Sequence, residues 1–217
     1  MIYGILSSQS YMLSDISRKL DEKTTVKKII DRLSRNLKEF DIGKELFENY
    51  LKAVKSLIND NTILIVDGSD ITKEYTTKME SIAQIRDGST GEYKLGYHTL
   101  GISALTPEKK MPIPVYSRIY SSSEKDFISE DEETIQGLKF LSNHFKRNNI
   151  RAFDRGYDNN RYYEYLIKHN EKFVIRAKKN RDVIYKGERI NILKLAHSFK
   201  GKYSLKFTKK NDGGADI

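Results

Sequence analysis

The sequence has no cysteine. That excludes disulfides, thiolate nucleophiles and cysteine-ligated zinc or iron–sulfur centres. A chain of 217 residues needs no such staple, because one of this size buries roughly 70% of its unfolded surface. Tryptophan is absent too, and proline occurs only three times, so there is no Pro-rich linker. Long apolar runs are missing: the aliphatic stretch at residues 63–66 falls far short of the ~20 apolar residues of a membrane span. No basic residue precedes the apolar part of residues 1–10, a poor fit to a signal peptide. These absences predict a soluble cytoplasmic chain with no membrane partner. G-x-G-x-x-G and G-x-x-x-x-G-K-[ST] are absent, so no nucleotide cofactor is expected. G-x-S-x-G is absent as well. His98, His144, His169 and His197 are never three or four residues apart, so no local zinc motif exists.

What is present is charge, unevenly placed. The 39 Lys and Arg against 30 Asp and Glu leave +9. Residues 141–217 hold 19 basic and 8 acidic residues, or +11, while residues 121–140 hold 2 and 6, or −4. A positive field concentrated in the last third favours a polyanion, most often nucleic acid; a solvated Lys-rich surface is the plainer reading. With 11% aromatic residues the chain has enough core formers to fold.

Along the chain, residues 10–40 read as two helices. Ser14 is placed to cap the first, and Thr24 or Thr25 the second, whose Val26, Ile29, Ile30, Leu33 and Leu37 follow helical spacing. Such a pair fits either a helix-turn-helix unit or an ordinary helical hairpin. A third helix is expected at 43–58. From residue 61 the pattern changes: 62–66 (TILIV), 93–105 and 112–120 read as strands. A helix over 129–145 carries acidic residues in its first turn, where they suit the helix dipole. Then come a strand at 150–153, a helix begun by Asp158, and a strand at 172–177, with strand-like pieces at 182–187 and 202–207. The sum is an α/β chain, β-β-β-α-β-α-β behind a helical prefix, with a mixed sheet and a boundary near residue 60.

Two acids stand out by position. Asp67 follows ILIV, and Asp154 follows IRAF. If those strands are parallel neighbours, both carboxylates emerge at one sheet edge, where α/β folds build their sites. Paired carboxylates are best held ionised by a hard cation, and a divalent ion so held activates a water or hydroxyl for displacement at phosphorus. A lone Asp after a strand more often just starts a turn. Asp70 and Asp158 suit turn and cap roles; Tyr157, Tyr162, Tyr163 and Tyr165 suit packing, or stacking on bases.

The segments ILIVDGSDITK, IRDGSTGEYKLGYHTLGISAL and AFDRGYDNNRYYEYLIKHNEKFVIRAKKNRDVIY resemble the DDE transposases of bacterial insertion sequences, over roughly residues 60–190. The resemblance implies a ribonuclease H-like core at 61–180, a DNA-binding prefix at 1–60 and the start of a strand-rich insertion at 181–217. It implies Asp67 and Asp154 as catalytic, metal-binding residues for Mg²⁺ or Mn²⁺. It implies DNA contacts at Arg155, Lys178, Lys179 and Arg181, transposon ends and target DNA as partners, and a homodimer. The family's third acid is a Glu in Y-x₂-R-x₃-E-x₆-K, yet none of the 14 Tyr has Arg three residues on. Glu164, Glu171 and Glu188 fall too early, and Asp212 and Asp216 lie in a Gly-rich tail. The expectation is therefore a C-terminally truncated transposase, inactive alone, with its fifth strand poorly covered. A non-catalytic DNA-binding regulator and a metal-dependent nuclease stand as the alternatives.

Overall fold

Burial alternates along the aliphatic run at residues 63–66, with Leu64 and Val66 buried and Ile63 and Ile65 less so, and this gives the sheet begun there a core face. A computed structural model describes residues 1–39, 43–76, 78–106, 111–145 and 149–199, in two compact units, Met1–Ala53 and Val54–Ile217. The expected strand at 202–207 and the acids Asp212 and Asp216 lie outside the described residues.

The first unit contains α1 (Ile2–Ser8), α2 (Leu13–Lys19), α3 (Val26–Glu39) and most of α4 (Gly43–Val54). Ile16, Ile29 and Leu33 form its buried centre, with Leu13 and Leu20 packed against them. Thr25 caps α3 by accepting from Lys28 N at 3.4 Å. Ser14 does not cap α2. The helix begins two residues earlier than a Ser14 cap would allow, after Met12, because Ser10 already holds the entry, accepting from Met12 N and donating to Asp15. Helix α1 was not expected, and the third expected helix stops at Val54 and finishes as a 3₁₀ turn, Lys55–Leu57.

The second unit is built on a six-stranded sheet: β1 (Ile63–Thr72), β2 (Ala83–Arg86), β3 (Tyr93–Leu105), β4 (Pro112–Tyr120), β5 (Ile150–Phe153) and β6 (Phe173–Ile175). β3 runs antiparallel to β1, β2 and β4, whereas β5 is parallel to β1, and β6 to β5. The parallel pairs are made by helical crossovers, α5 (Glu130–His144) and α6 (Asn160–Lys168). Path β4–β3–β1–β5–β6 is the mixed sheet expected, its strands and crossover helices following in the β-β-β-α-β-α-β order, with β2 added. β2 pairs with the start of β3, beyond the end of β4. Its four residues lie in a stretch with no clear pattern, so only the partner strand defines them.

One face of the sheet is the core. Leu64, Val66, Leu100, Ile102, Ala104 and Phe153 are buried on it. Helix α5 packs there through Gly137, where a Cβ would stand 3.2 Å from Leu100 and 2.9 Å from Tyr116. Arg151 is buried on the same face. It pairs with Glu171 at 2.5 Å and donates to Asn149 O at 3.0 Å and Ser142 Oγ at 3.1 Å, and Ser142 donates to Glu171 at 2.7 Å. This network ties β5, α5 and the approach to β6 together. On the opposite face Ile65, Ile150 and Val174 are exposed, with Val174 at 60%, and Ile65, Ala152 and Val174 stand in one register row.

Beyond the sheet, β7 (Asp182–Tyr185) and β8 (Glu188–Asn191) form a hairpin. Lys186 at φ 53° and Gly187 at φ 83° make its two-residue turn. Helix α7 (Ile192–Ser198) follows, capped by Asn191.

Candidate active site

The register of β1 and β5 pairs Val66 with Phe153, so the next residues, Asp67 and Asp154, stand side by side on adjacent parallel strands. Both are exposed, and both line an open cleft of about 400 Å³. Their local settings differ from expectation in one respect. Asp154 does end its strand, but Asp67 does not. β1 continues to Thr72 because β3 is long enough to pair with all of it, Asp67 opposite Gly101. Asp67 therefore lies mid-strand, at the point where β5 stops and leaves it open.

Asp154 is oriented by its own turn: its Oδ1 accepts from Gly156 N at 2.7 Å. A Cβ at Gly156 would stand 2.9 Å from that oxygen, so a larger residue there would shift the Asp154 carboxylate. The last Asp of the run does not cap α6; Asn159 does, accepting from Tyr162 N at 3.2 Å. Asp158 is instead a buried staple. It accepts from Tyr163 Oη at 2.9 Å and from Lys178 N at 2.6 Å, and it forms an ion pair with Arg181. The loop carrying Asp154 is thereby fastened to the loop carrying Lys178 and Lys179.

Further acids reach the cleft from other elements: Asp70 from β1, and Glu130 and Asp131 from the first turn of α5. Asp70 accepts from Gly88 N at 3.2 Å. Asp131 accepts from Asn159 Nδ2 at 3.3 Å, and Glu130 lies 3.7 Å from His98 Nε2. Sequence reasoning assigned the α5 acids to the helix dipole alone. The only further clue in the chain is that α5 starts shortly after β4, whose end at Tyr120 also lines the cleft. Tyr157 and Tyr162 complete the wall, in ring contact with each other and with Phe153. A Cβ at Gly68 would lie 3.3 Å from Tyr157 Oη, so this hydroxyl sits beside the backbone next to Asp67. Burial pushes the Tyr157 phenol well above its ordinary range, with the charges of Asp67 and Asp154 adding to it. It stays neutral across physiological pH. Among the four tyrosines considered for stacking, Tyr162 and Tyr163 are buried packing residues.

Of the four expected DNA contacts, Arg155, Lys178 and Lys179 are exposed. Arg181 is not presented in the same way. Its side chain is 17% exposed, paired to Asp158, and donates to Asp158 O at 3.2 Å and Asn160 Oδ1 at 3.3 Å. It also lies over the Tyr163 ring at 5.1 Å. The physical reason is the buried Asp158 carboxylate, which requires a cation.

The donor set of Asp67 and Asp154, two hard carboxylate oxygens, suits Mg²⁺ or Mn²⁺ in kind. Among the described residues no group of three or more His, Asp or Glu converges as a metal-holding cluster.

No protein family profile and no curated protein matches the chain. Similarity is found among solved structures. The chain is similar to Mos1 transposase complexes. In the Mos1 transposase paired-end complex with left transposon end, the TM-score is 0.34 and the identity 12%, over 81% of this chain and 57% of that chain. In the Mos1 strand transfer complex, the values are 0.30 and 11%, over 80% of this chain and 56% of that chain. The chain thus spans less than two thirds of the length of the proteins it resembles. No helix of the described residues is long and apolar enough to cross a membrane.

Proposed function

We propose that this chain is a DNA strand-processing protein of the DDE transposase type, with Asp67 and Asp154 as the pair that holds a divalent ion and transposon and target DNA as its substrates. The observation that carries the reading is the β1–β5 register, which sets the two carboxylates side by side at the open end of β5. A divalent ion bound there would supply Lewis acidity toward a phosphodiester oxygen and a more acidic water. The chain's own residues do the rest. The Gly156 amide orients Asp154, the raised phenol of Tyr157 stays a neutral donor at the wall, and the exposed Arg155, Lys178 and Lys179 offer cations to the DNA backbone. The N-terminal unit contributes α3, whose Lys27, Lys28, Arg32 and Arg35 are exposed, as a second DNA-binding surface.

The test is Mn²⁺ binding read by electron paramagnetic resonance. Asp67→Asn and Asp154→Asn, which keep side-chain size and the Asp154 cap acceptor, are each expected to weaken binding by about tenfold or more, the ~1.4 kcal/mol step that loss of one charged ligand readily exceeds. Unchanged affinity in both would sink the reading.

A second reading, a non-catalytic DNA-binding protein, is favoured by one observation: although further acids line the cleft, among the described residues no three of them come together as a group that could hold a metal ion. Nicking of supercoiled DNA with Mg²⁺ or Mn²⁺ separates the two. Cleavage abolished by Asp154→Ala supports catalysis; DNA binding without cleavage supports the second reading.

A further inference from the structure

One guanidinium lines the cleft, that of Arg86 at the end of β2. The arginines around it are committed to acids: Arg118 to Glu133 and Glu124, Arg161 to Glu132, and Arg181 to Asp158. Arg86 is exposed, and among the described residues no carboxylate pairs with it. Its one hydrogen bond there runs from Nε to the carbonyl of Gly91 at 3.4 Å. A guanidinium has five N–H donors, so both Nη groups remain available.

Its place is fixed by the turn that follows. Asp87 is buried; it accepts from Ser89 N at 2.8 Å and Thr90 N at 3.2 Å, and it pairs with Lys94 at 3.1 Å. Gly88 N donates to Asp70 at 3.2 Å, which docks the turn onto β1 three residues beyond Asp67. Three residues of strand span about 10 Å. Asp70 is the acid nearest in the chain to this contact, yet its carboxylate is turned to the Gly88 amide and leaves Arg86 unneutralised.

The charge around Arg86 decides what it suits. Five carboxylates line the cleft, those of Asp67, Asp70, Glu130, Asp131 and Asp154. A DNA strand is an anion and is repelled by such a wall. A divalent ion between Asp67 and Asp154 offsets that repulsion at the reacting phosphate. The neighbouring phosphates still face Asp70 and Glu130, and they need a cation of their own. Arg86 supplies it, and its planar fork matches two phosphate oxygens at once.

We propose that Arg86 is a strand-positioning residue: it holds a backbone phosphate that does not react, about 10 Å along β1 from Asp67, and so lays the DNA strand across the two carboxylates. This rests on the reading of the cleft as a DNA strand-processing site, and it adds to that site a residue from β2.

The experiment uses the full chain, a duplex of random sequence and fluorescence anisotropy at successive salt concentrations, with Ca²⁺ held constant as the hard cation. Arg86→Ala is expected to flatten the slope of log K against log salt by up to about 0.9, one contact's worth, and to weaken binding by up to about fivefold. Arg86→Lys restores the slope, because it keeps the charge, and recovers only part of the affinity, because it loses the fork. Mn²⁺ binding read by electron paramagnetic resonance and the melting temperature stay at wild-type values in both variants. An Arg86→Ala slope equal to that of the wild type, while Lys178→Glu/Lys179→Glu flattens it, overturns the Arg86 assignment alone. So does a shift in Mn²⁺ affinity or melting temperature without a change of slope, which would make Arg86 a tether for the cleft's own acids. Wild-type binding that ignores salt overturns this assignment and the DNA reading of the cleft together.

Discussion

Asp158 shows how far a single residue's meaning depends on its surroundings. In the sequence it is the second acid of D-R-G-Y-D and a natural helix cap; in the fold it is buried and satisfies a phenol, a backbone amide and a guanidinium at once. Asp158→Ala should lower stability by roughly 3 kcal/mol, the scale of charged hydrogen bonds lost from a buried site. A urea melt measures this, and a value near zero would show that the staple contributes nothing. Burial, with the hydrogen bond to Asp158 second, pushes the Tyr163 phenol up to about 12. An unfolded phenol titrates near 10, so the native state holds the proton more tightly. Stability is therefore full below about pH 10 and falls as pH rises from about 10 through 12. Tyr163→Phe should reduce that alkaline loss, measured by denaturant unfolding at successive pH values, leaving the shares of Tyr157 and Tyr162, which burial also raises.

At the scale of elements, strand β5 was legible from its apolar ends but not from its middle. Arg151 in IRAF looks like the outward-facing residue of an alternating strand, yet it points into the core, because Glu171 and Ser142 meet it there. Charges desolvated together are costly to separate and far less costly to remove together. Glu171→Gln should therefore cost about 3–5 kcal/mol, whereas Arg151→Met/Glu171→Leu should sit closer to wild type than the sum of the single changes. Additive losses across this double-mutant cycle would contradict the network. Strands β3 and β4 were read with their observed ends, since turn residues bound them in the sequence: Asp87–Gly91 before β3, Pro107 after it and Ser121–Ser123 after β4. β1 was read too short and β2 was missed, because their limits are set by what β3 offers as a hydrogen-bonding partner. The expectation of a poorly covered fifth strand meets a mixed result: Val174 is exposed, while Phe173 and Ile175 on the other face are half-buried.

At the scale of the whole molecule, the charge gradient is the property that acts at a distance. The +11 of residues 141–217 predicts DNA binding that weakens steeply with salt, by about 0.9 in log K per log salt for each phosphate neutralised. Four to six contacts would give a slope near −4 to −5. Lys178→Glu/Lys179→Glu should flatten the slope by about 1.8, two contacts' worth. Arg181→Lys should leave the slope almost unchanged and lower the melting temperature instead, because Arg181 is committed to Asp158. Fluorescence anisotropy at several salt concentrations reads both, and equal slopes for wild type and the double Glu variant would remove Lys178 and Lys179 from the DNA surface.

Local composition and period were enough to determine the order of the main elements, the mixed sheet and the two aspartates worth watching, because turn residues, apolar alternation and strand-terminal acids are short-range signals. The tertiary structure alone decided that β1 and β5 are parallel neighbours with Asp67 beside Asp154, that Glu130 and Asp131 enter the same cleft, and that Arg181 is spent on Asp158. Each of those facts depends on which residue, distant in the chain, occupies the adjoining space. A sequence read locally carries no record of that neighbour.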